Sequence, residues 1–301
     1  MQDGNGLATA EAQLAVVEKS AEHIADIIEQ GHQVVLAHGN GPQVGRILLQ
    51  NEYAAAITPA MPFDVCGAMS QGMIGYHMQQ GLAKVLRRRG IATPVAAVVT
   101  QVVVDPNDEA FANPGKPIGP FYNWEEAEWL RTERGYTMRE DSGRGWRRVV
   151  ASPRPMEIVE LPVVRGMIEK GFVVITVGGG GIPVVRNEKG DLIGMPAVID
   201  KDLAAEKLGE DVDADVLFIL TTVEQICLYY NKPNEQRLSR VTVAEAEAYA
   251  AQGHFAPGSM LPKIQAACRF AGSRQGRSVI ITSLEKAEQA LRGKAGTTIV
   301  G

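Results

Sequence analysis

Cysteine is scarce in this 301-residue chain, and the three present (Cys66, Cys227 and Cys268) stand far apart. No Cys-x-x-Cys or Cys/His spacing occurs, so neither a disulfide framework nor a zinc site is expected, and all three thiols read as reduced structural residues. The five histidines (His23, His32, His38, His77 and His254) carry no H-E-x-x-H or similar spacing, and no metal ligand set is predicted. Excess basic charge is missing too. The formal net charge is −5, whereas nucleic-acid and membrane-surface binders carry a basic footprint. No apolar run approaches the ~18 residues of a membrane span, and the N-terminus has no basic-then-apolar leader pattern. The chain therefore reads as cytoplasmic, with neither nucleic-acid nor membrane partners. A Walker A motif is absent, as are the H-R-D and D-F-G motifs of protein kinases.

What is present is the composition of an ordinary globular protein, 45% hydrophobic and 22% charged, long enough to bury a core without staples. From residue 10 the apolar positions Leu14, Val17, Ala21, Ile24 and Ile28 recur at helical spacing, with Gly31 as a natural stop. Gln33–Ala37 then reads as a buried strand. The same helix-then-strand order recurs at Ile158–Lys170 with Phe172–Val177, and at Leu203–Leu208 with Val216–Leu220. A helix near residues 262–272 precedes a last strand, Ser278–Thr282. Helices alternating with short apolar strands predict an α/β class with a mostly parallel sheet covered on both faces. Between Pro106 and Pro155 this pattern breaks. That stretch holds six prolines and all three tryptophans (Trp124, Trp129 and Trp146), and it reads as a lid-like subdomain inserted into one larger domain. A surface excursion supporting an oligomer interface would also account for it. Its arginines Arg144, Arg147, Arg148 and Arg154 read as structural ion-pair partners rather than phosphate ligands.

Ligands of open α/β sheets bind beyond the carboxyl ends of strands. Two glycine-rich segments fall there: His38-Gly39-Asn40-Gly41-Pro42-Gln43-Val44-Gly45 and Gly178-Gly179-Gly180-Gly181-Ile182-Pro183. A tight turn would explain either alone. Two of them after two strands favour close backbone approach to a ligand at a helix N-terminus. Gly39, Gly41 and Gly45 only approximate a dinucleotide fingerprint, having one residue too many. Three lysines sit on constrained backbone: Lys116 in Asn113–Pro120, Lys201 between Asp200 and Asp202, and Lys263 at the end of Pro257-Gly-Ser-Met-Leu-Pro-Lys. Most lysines are solvated surface charges, but these settings suit residues aimed at phosphate.

The segments HGNGPQVG (38–45), SQGMIGY (70–76), TQVVVDPNDEAF (100–111), NPGKPIGPF (113–121), EDSGRGWRRVVASPRP (140–155), GGGGIPVV (178–185), AVIDKDLAAEKL (197–208) and GHFAPGSMLPK (253–263) together resemble the carbamate kinases of the amino-acid-kinase family. The resemblance runs from about residue 10 to the C-terminus in the family's order. It implies a three-layer αβα sandwich with a mostly parallel central sheet, a homodimer, use of ATP/ADP with Mg2+, and a place in arginine metabolism. It implies that Gly39 and Asn40 hold the carbamoyl end of the substrate and that Lys116 is projected onto it by the lid. Lys201 and Lys263 are the implied catalytic lysines, Lys263 also meeting the nucleotide phosphates. Asp200 and Asp202 are the acidic pair near the lysines or the magnesium. Gly178, Gly179 and Gly180 cradle phosphate and substrate. Family members begin with a strand and a Gly-Gly-Asn-Ala-type loop; Asp3–Leu7 reads either as a degenerate counterpart of it or as a start beyond it. The alternative that this departure implies is a non-catalytic nucleotide-binding relative.

Overall fold

Three of the helices begin at a side-chain cap that the sequence offers. Thr9 accepts from the Ala12 N–H and opens the helix Ala10–Glu29; Gly31, at φ +87°, lies just past its end. Asn123 and Thr242 form capping boxes with Glu126 and Glu245 at the helices Trp124–Arg134 and Val243–Ala251. A computed structural model describes residues 9–301 apart from residues 142 and 258, so the Asp3–Leu7 segment lies outside it. The chain divides into two compact units: one comprises Val35–Gln79 and Pro94–Ala204, the other the chain up to Val34, Gln80–Thr93 and Ala205–Gly301.

In the first unit the strands Val35–Leu36 and Val95–Ala97 flank Val173–Ile175, all parallel, with Val174 opposite both Val35 and Ala96. All three residues of the central strand are buried, which is why Phe172–Val177 reads as a continuous apolar run. A second sheet runs Leu192–Gly194, Ile182–Arg186, Gln101–Val103, Glu157–Ile158, with a parallel centre and antiparallel edges. The helices Gly41–Ala54 and Leu161–Glu169 belong to this unit, and the long helix Phe63–Arg88 begins in it. Val44, Ile47, Leu48, Cys66, Ile118, Val150 and Val198 form one core cluster.

The Pro106–Pro155 stretch forms its own antiparallel sheet, Lys116–Tyr122 beside Trp146–Val150 beside Met138–Glu140, with the helix Trp124–Arg134. Its strands escape a periodicity search because Lys116–Tyr122 carries two prolines and a glycine in seven residues. Trp124 and Trp146 lie 4.9 Å apart, and the Arg131 guanidinium sits over both rings. Arg144 and Arg147 pair with Asp141, and Arg148 pairs with Glu52 while stacking on Tyr136. These three arginines are therefore engaged within the unit, in agreement with their structural reading.

The second unit carries a four-stranded sheet, Val216–Thr221, Ser278–Ser283, Thr297–Val300, Arg240–Thr242, parallel except for the central Ser278–Ser283/Thr297–Val300 pair. The helix Met260–Gly272 covers it, burying Ile264, Ala267, Phe270 and Ala271 against Ile281 and Ile299 within one core cluster. Cys268 is buried in that core and Cys227 is half-buried; no disulfide forms. His254, in a glycine-bearing segment, packs edge-on against Tyr229 at 4.7 Å and against Tyr249 at 6.0 Å.

Candidate active site

The parallel strands of the first unit deliver their following loops to one place. The loop after Val35–Leu36 places His38 and Asn40 in the interior, and Pro42 starts the helix Gly41–Ala54. The loop after Val173–Ile175 folds into a single 3-10 turn at Gly178–Gly180. The two loops are bonded to each other: the Gly179 N–H donates to the His38 carbonyl at 2.7 Å. Their packing leaves no room for side chains. A Cβ on Gly179 would lie 2.1 Å from Asn40 Nδ2, one on Gly180 2.3 Å from the Ile199 carbonyl, and one on Gly178 2.3 Å from His38 Nε2. Gly179 and Gly180 also have φ of +65° and +93°, which only glycine adopts freely. The run of glycines thus has a backbone reason.

Val177 precedes them at φ +43° and ψ +35°, a left-handed conformation that is costly for a β-branched residue. Thr100 holds it there. The Thr100 hydroxyl donates to the Val98 carbonyl at 2.8 Å and accepts from the Val177 N–H at 3.1 Å, with the Thr176 hydroxyl also at 2.8 Å. Gln71 in turn clamps Thr100, its amide accepting from the Thr100 N–H at 2.8 Å and donating to the Thr100 carbonyl at 3.0 Å. Asn40 is fixed by donating to Ser70 Oγ at 2.8 Å, and Ser70 donates to the Gly67 carbonyl at 2.6 Å. Ser70, Gln71 and Thr100 are all buried. Sequence reasoning assigned them no role, although the motifs SQGMIGY and TQVVVDPNDEAF contain them.

Lys201 is the first residue of the helix Lys201–Asp211, so the helix starts earlier than the Leu203–Leu208 pattern indicates. Asp200 caps this start, accepting from the Asp202 N–H at 2.8 Å, and its other oxygen pairs with Lys116 Nζ. The stem of Lys201 lies against Gly39, where a Cβ would stand 3.2 Å from Lys201 Cδ. The structure therefore gathers Gly39, Asn40, Gly178, Gly179, Gly180, Lys116, Asp200, Lys201 and Asp202 in one unit. Lys263 is in the other unit, in the first turn of the helix Met260–Gly272. Burial holds the His38 imidazole well below the usual histidine range, at about 4; its hydrogen bond to Gly39 opposes the shift and the Lys201 charge adds to it. Among the described residues no group of three or more His, Cys, Asp or Glu could hold a metal ion.

Amide-rich loops with lysines around them make a site for an anion whose charge moves during reaction. Residues 3–283 match the amino acid kinase family. A carbamate kinase of Clostridium perfringens is 53% identical over 97% of this chain and 94% of its own length. The carbamate kinase-like protein YqeA of Escherichia coli is 53% identical over 95% of this chain and 93% of its own. A solved carbamate kinase from Giardia lamblia bound to AMP-PNP superposes with a TM-score of 0.91 at 46% identity, covering all of this chain and 95% of the other. These likenesses lend no support to a non-catalytic reading, and they carry the three-layer αβα fold to this chain. The chain belongs to the amino acid kinase family, among its carbamate kinases.

Proposed function

We infer that this protein transfers a phosphoryl group reversibly between ATP and carbamate, giving ADP and carbamoyl phosphate. The observation that carries this is the joined pair of glycine loops with the Lys201 stem laid on Gly39 and Lys116 reaching Asp200 beside it. Carbamate is an anion at neutral pH, so its oxygen can attack the γ-phosphoryl without giving up a proton. A general base is unnecessary; the task is in-line positioning and neutralisation of crowded negative charge. His38, neutral and buried, fits a site without a base. The peptide amides of Gly178–Gly180 and the lysine point charges fit that task. Gly39 and Asn40 are proposed to hold the carbamoyl end, Lys116 to approach it from the lid, Lys201 to follow the moving phosphoryl, and Lys263 to meet the nucleotide phosphates.

Magnesium commonly binds through one or two carboxylates plus substrate phosphates rather than in a protein cage. The Asp200/Asp202 pair beside Lys201, without a larger acidic cluster among the described residues, fits an ion brought by the nucleotide. Bound there, it would neutralise charge on the phosphates. We also propose a homodimer. Val65, Met69 and Tyr76 recur at helical spacing on the helix Phe63–Arg88, and all three are exposed, as is Val99 of the same unit. A purely monomeric sedimentation profile would refute this. A cytoplasmic setting in arginine metabolism is the one the family suggests. The decisive experiment is a coupled assay of ATP formation from ADP and carbamoyl phosphate. Turnover that requires both substrates supports the proposed reaction; absence of turnover in folded protein overturns it.

A further inference from the structure

His38 is a buried side chain at the centre of the site to which the phosphoryl-transfer scheme gives no task. Its ring Nδ1 lies 3.1 Å from the Gly39 carbonyl. A carbonyl oxygen can only accept, so Nδ1 carries the proton, and in the neutral ring Nε2 is bare. Its backbone carbonyl accepts the Gly179 N–H at 2.7 Å. One residue therefore touches both glycine loops, through the side chain on one and the main chain on the other. Nε2 meanwhile faces the backbone of Gly178 so closely that an added Cβ would stand 2.3 Å away.

Packing does not by itself immobilise this ring. His38 and Gly178 line a cavity of about 220 Å³, shared with Gln71, Gly75, Gln79 and Thr176. A side chain bordering open space can swing into it unless a hydrogen bond holds it. The bond to the Gly39 carbonyl supplies that hold, and it acts on the peptide group that follows the residue against which Lys201 lies. A tilt of the ring would turn the Gly39 peptide and alter the spacing of Gly39, Gly179 and the Lys201 stem. A second cation here would also repel Lys201; burial keeps the ring neutral.

We infer that His38 positions the two glycine loops for phosphoryl transfer, by an Nδ1–H donated to Gly39 and a main-chain carbonyl shared with Gly179. It acts through the loops and touches no reacting atom. The inference rests on the carbamate kinase reading, and the two can fail separately.

The test compares His38→Asn, whose amide nitrogen can replace Nδ1–H, with His38→Gln and His38→Leu, which cannot offer a donor at that place. Steady-state kinetics with ADP and carbamoyl phosphate should show kcat about a hundredfold lower in His38→Gln and His38→Leu, with KM changed less than about threefold, because misplacement of bound groups by ~1 Å costs that much. His38→Asn should stay within about tenfold of the parent. A His38→Leu kcat within about threefold of the parent would overturn the inference. So would equal losses in all three variants that track a common fall in melting temperature. Nitrogen-15 NMR of the ring in the unaltered protein gives a readout independent of variant folding, with His38→Asn identifying the resonance. A protonated Nδ1 and a bare Nε2, unchanged from about pH 5.5 to 8, are expected; an Nε2–H tautomer or a titration in that range overturns it. Parent protein without turnover would instead remove the carbamate kinase reading, leaving the tautomer to stand or fall on the spectrum.

Discussion

At the scale of single residues, Lys201 and Lys263 carry the sharpest expectation. Charge on the bridging oxygen changes as the phosphoryl group moves, so a preorganised cation acts on the transition state more than on substrate binding. Lys201→Ala and Lys263→Ala should each lower kcat by a hundred- to a thousandfold, about 3–4 kcal/mol, with folding unchanged by circular dichroism. Lys201→Arg should not restore the rate, because the Gly39 surface is shaped to the narrow lysine stem and a planar guanidinium is broader. A near-parental kcat in either alanine variant removes that lysine from the mechanism. Thr100 is the corresponding case for structure. Thr100→Val leaves the buried Val177 N–H without its acceptor at a strained φ. An unsatisfied buried group costs about 1–3 kcal/mol, so urea unfolding should shift by that amount, and kcat should fall as the glycine loop loosens. An unchanged midpoint would mean that the strain is supported elsewhere.

At the scale of elements, the Lys116–Tyr122 strand decides where Lys116 sits. Gly45, on the helix Gly41–Ala54, allows the Gly119 backbone to lie directly on that helix; a Cβ on Gly45 would be 2.1 Å from Gly119 Cα. Gly45→Ala must therefore push the strand outward, drawing Lys116 from Asp200. Hydrogen exchange through residues 116–122 and 146–150 should quicken, and kcat should drop at least about tenfold. The sheets around Val173–Ile175 and Ile182–Arg186 should keep their protection. Unaltered exchange in the inserted sheet would show that its seating does not depend on this contact. The inserted sheet was only half legible in sequence. Its proline and tryptophan content marks a break from the α/β pattern, but short strands with prolines carry little alternation to read. The helix beginning at Lys201 was legible from its Leu203–Leu208 pattern but not in its start, which Asp200 fixes by accepting from the Asp202 N–H.

At the scale of the whole molecule, stability should depend on pH through Glu206. Its carboxyl is raised to about 7, first by burial and then by Glu210, with Arg269 opposing. The folded state then binds a proton that the unfolded chain has already released above pH ~4.5, so stability from this group falls between about pH 4.5 and 7 and stays low above. Glu206→Gln removes that dependence. Its melting temperature should exceed the parent's at pH 8, with the difference shrinking toward pH 5. A constant difference across that range would show that Glu206 is ionised throughout. His38 works in the opposite sense: its folded value of about 4 lies below the unfolded one, so its contribution is lost as pH falls from about 6.5 to 4. The comparison of Glu206→Gln with the parent cancels that shared term.

The sequence by itself determined the alternation of helices and buried strands, the two glycine loops, the lysines set on constrained backbone and the family they resemble. Each of these is a local pattern of propensity, capping or motif, complete within a short window. What only the tertiary structure decided is which of these groups meet. Lys116 pairs with Asp200 across 84 residues, Gln71 clamps Thr100 across 29, and Thr100 supports Val177 across 77. The His38 carbonyl meets the Gly179 N–H because Val35 and Val174 are in parallel register, carrying both loops to the same strand ends. Register of that kind comes from packing summed over both faces of a sheet. No single segment encodes it, and so the roles of His38, Gln71 and Thr100 stayed hidden until the strands were paired.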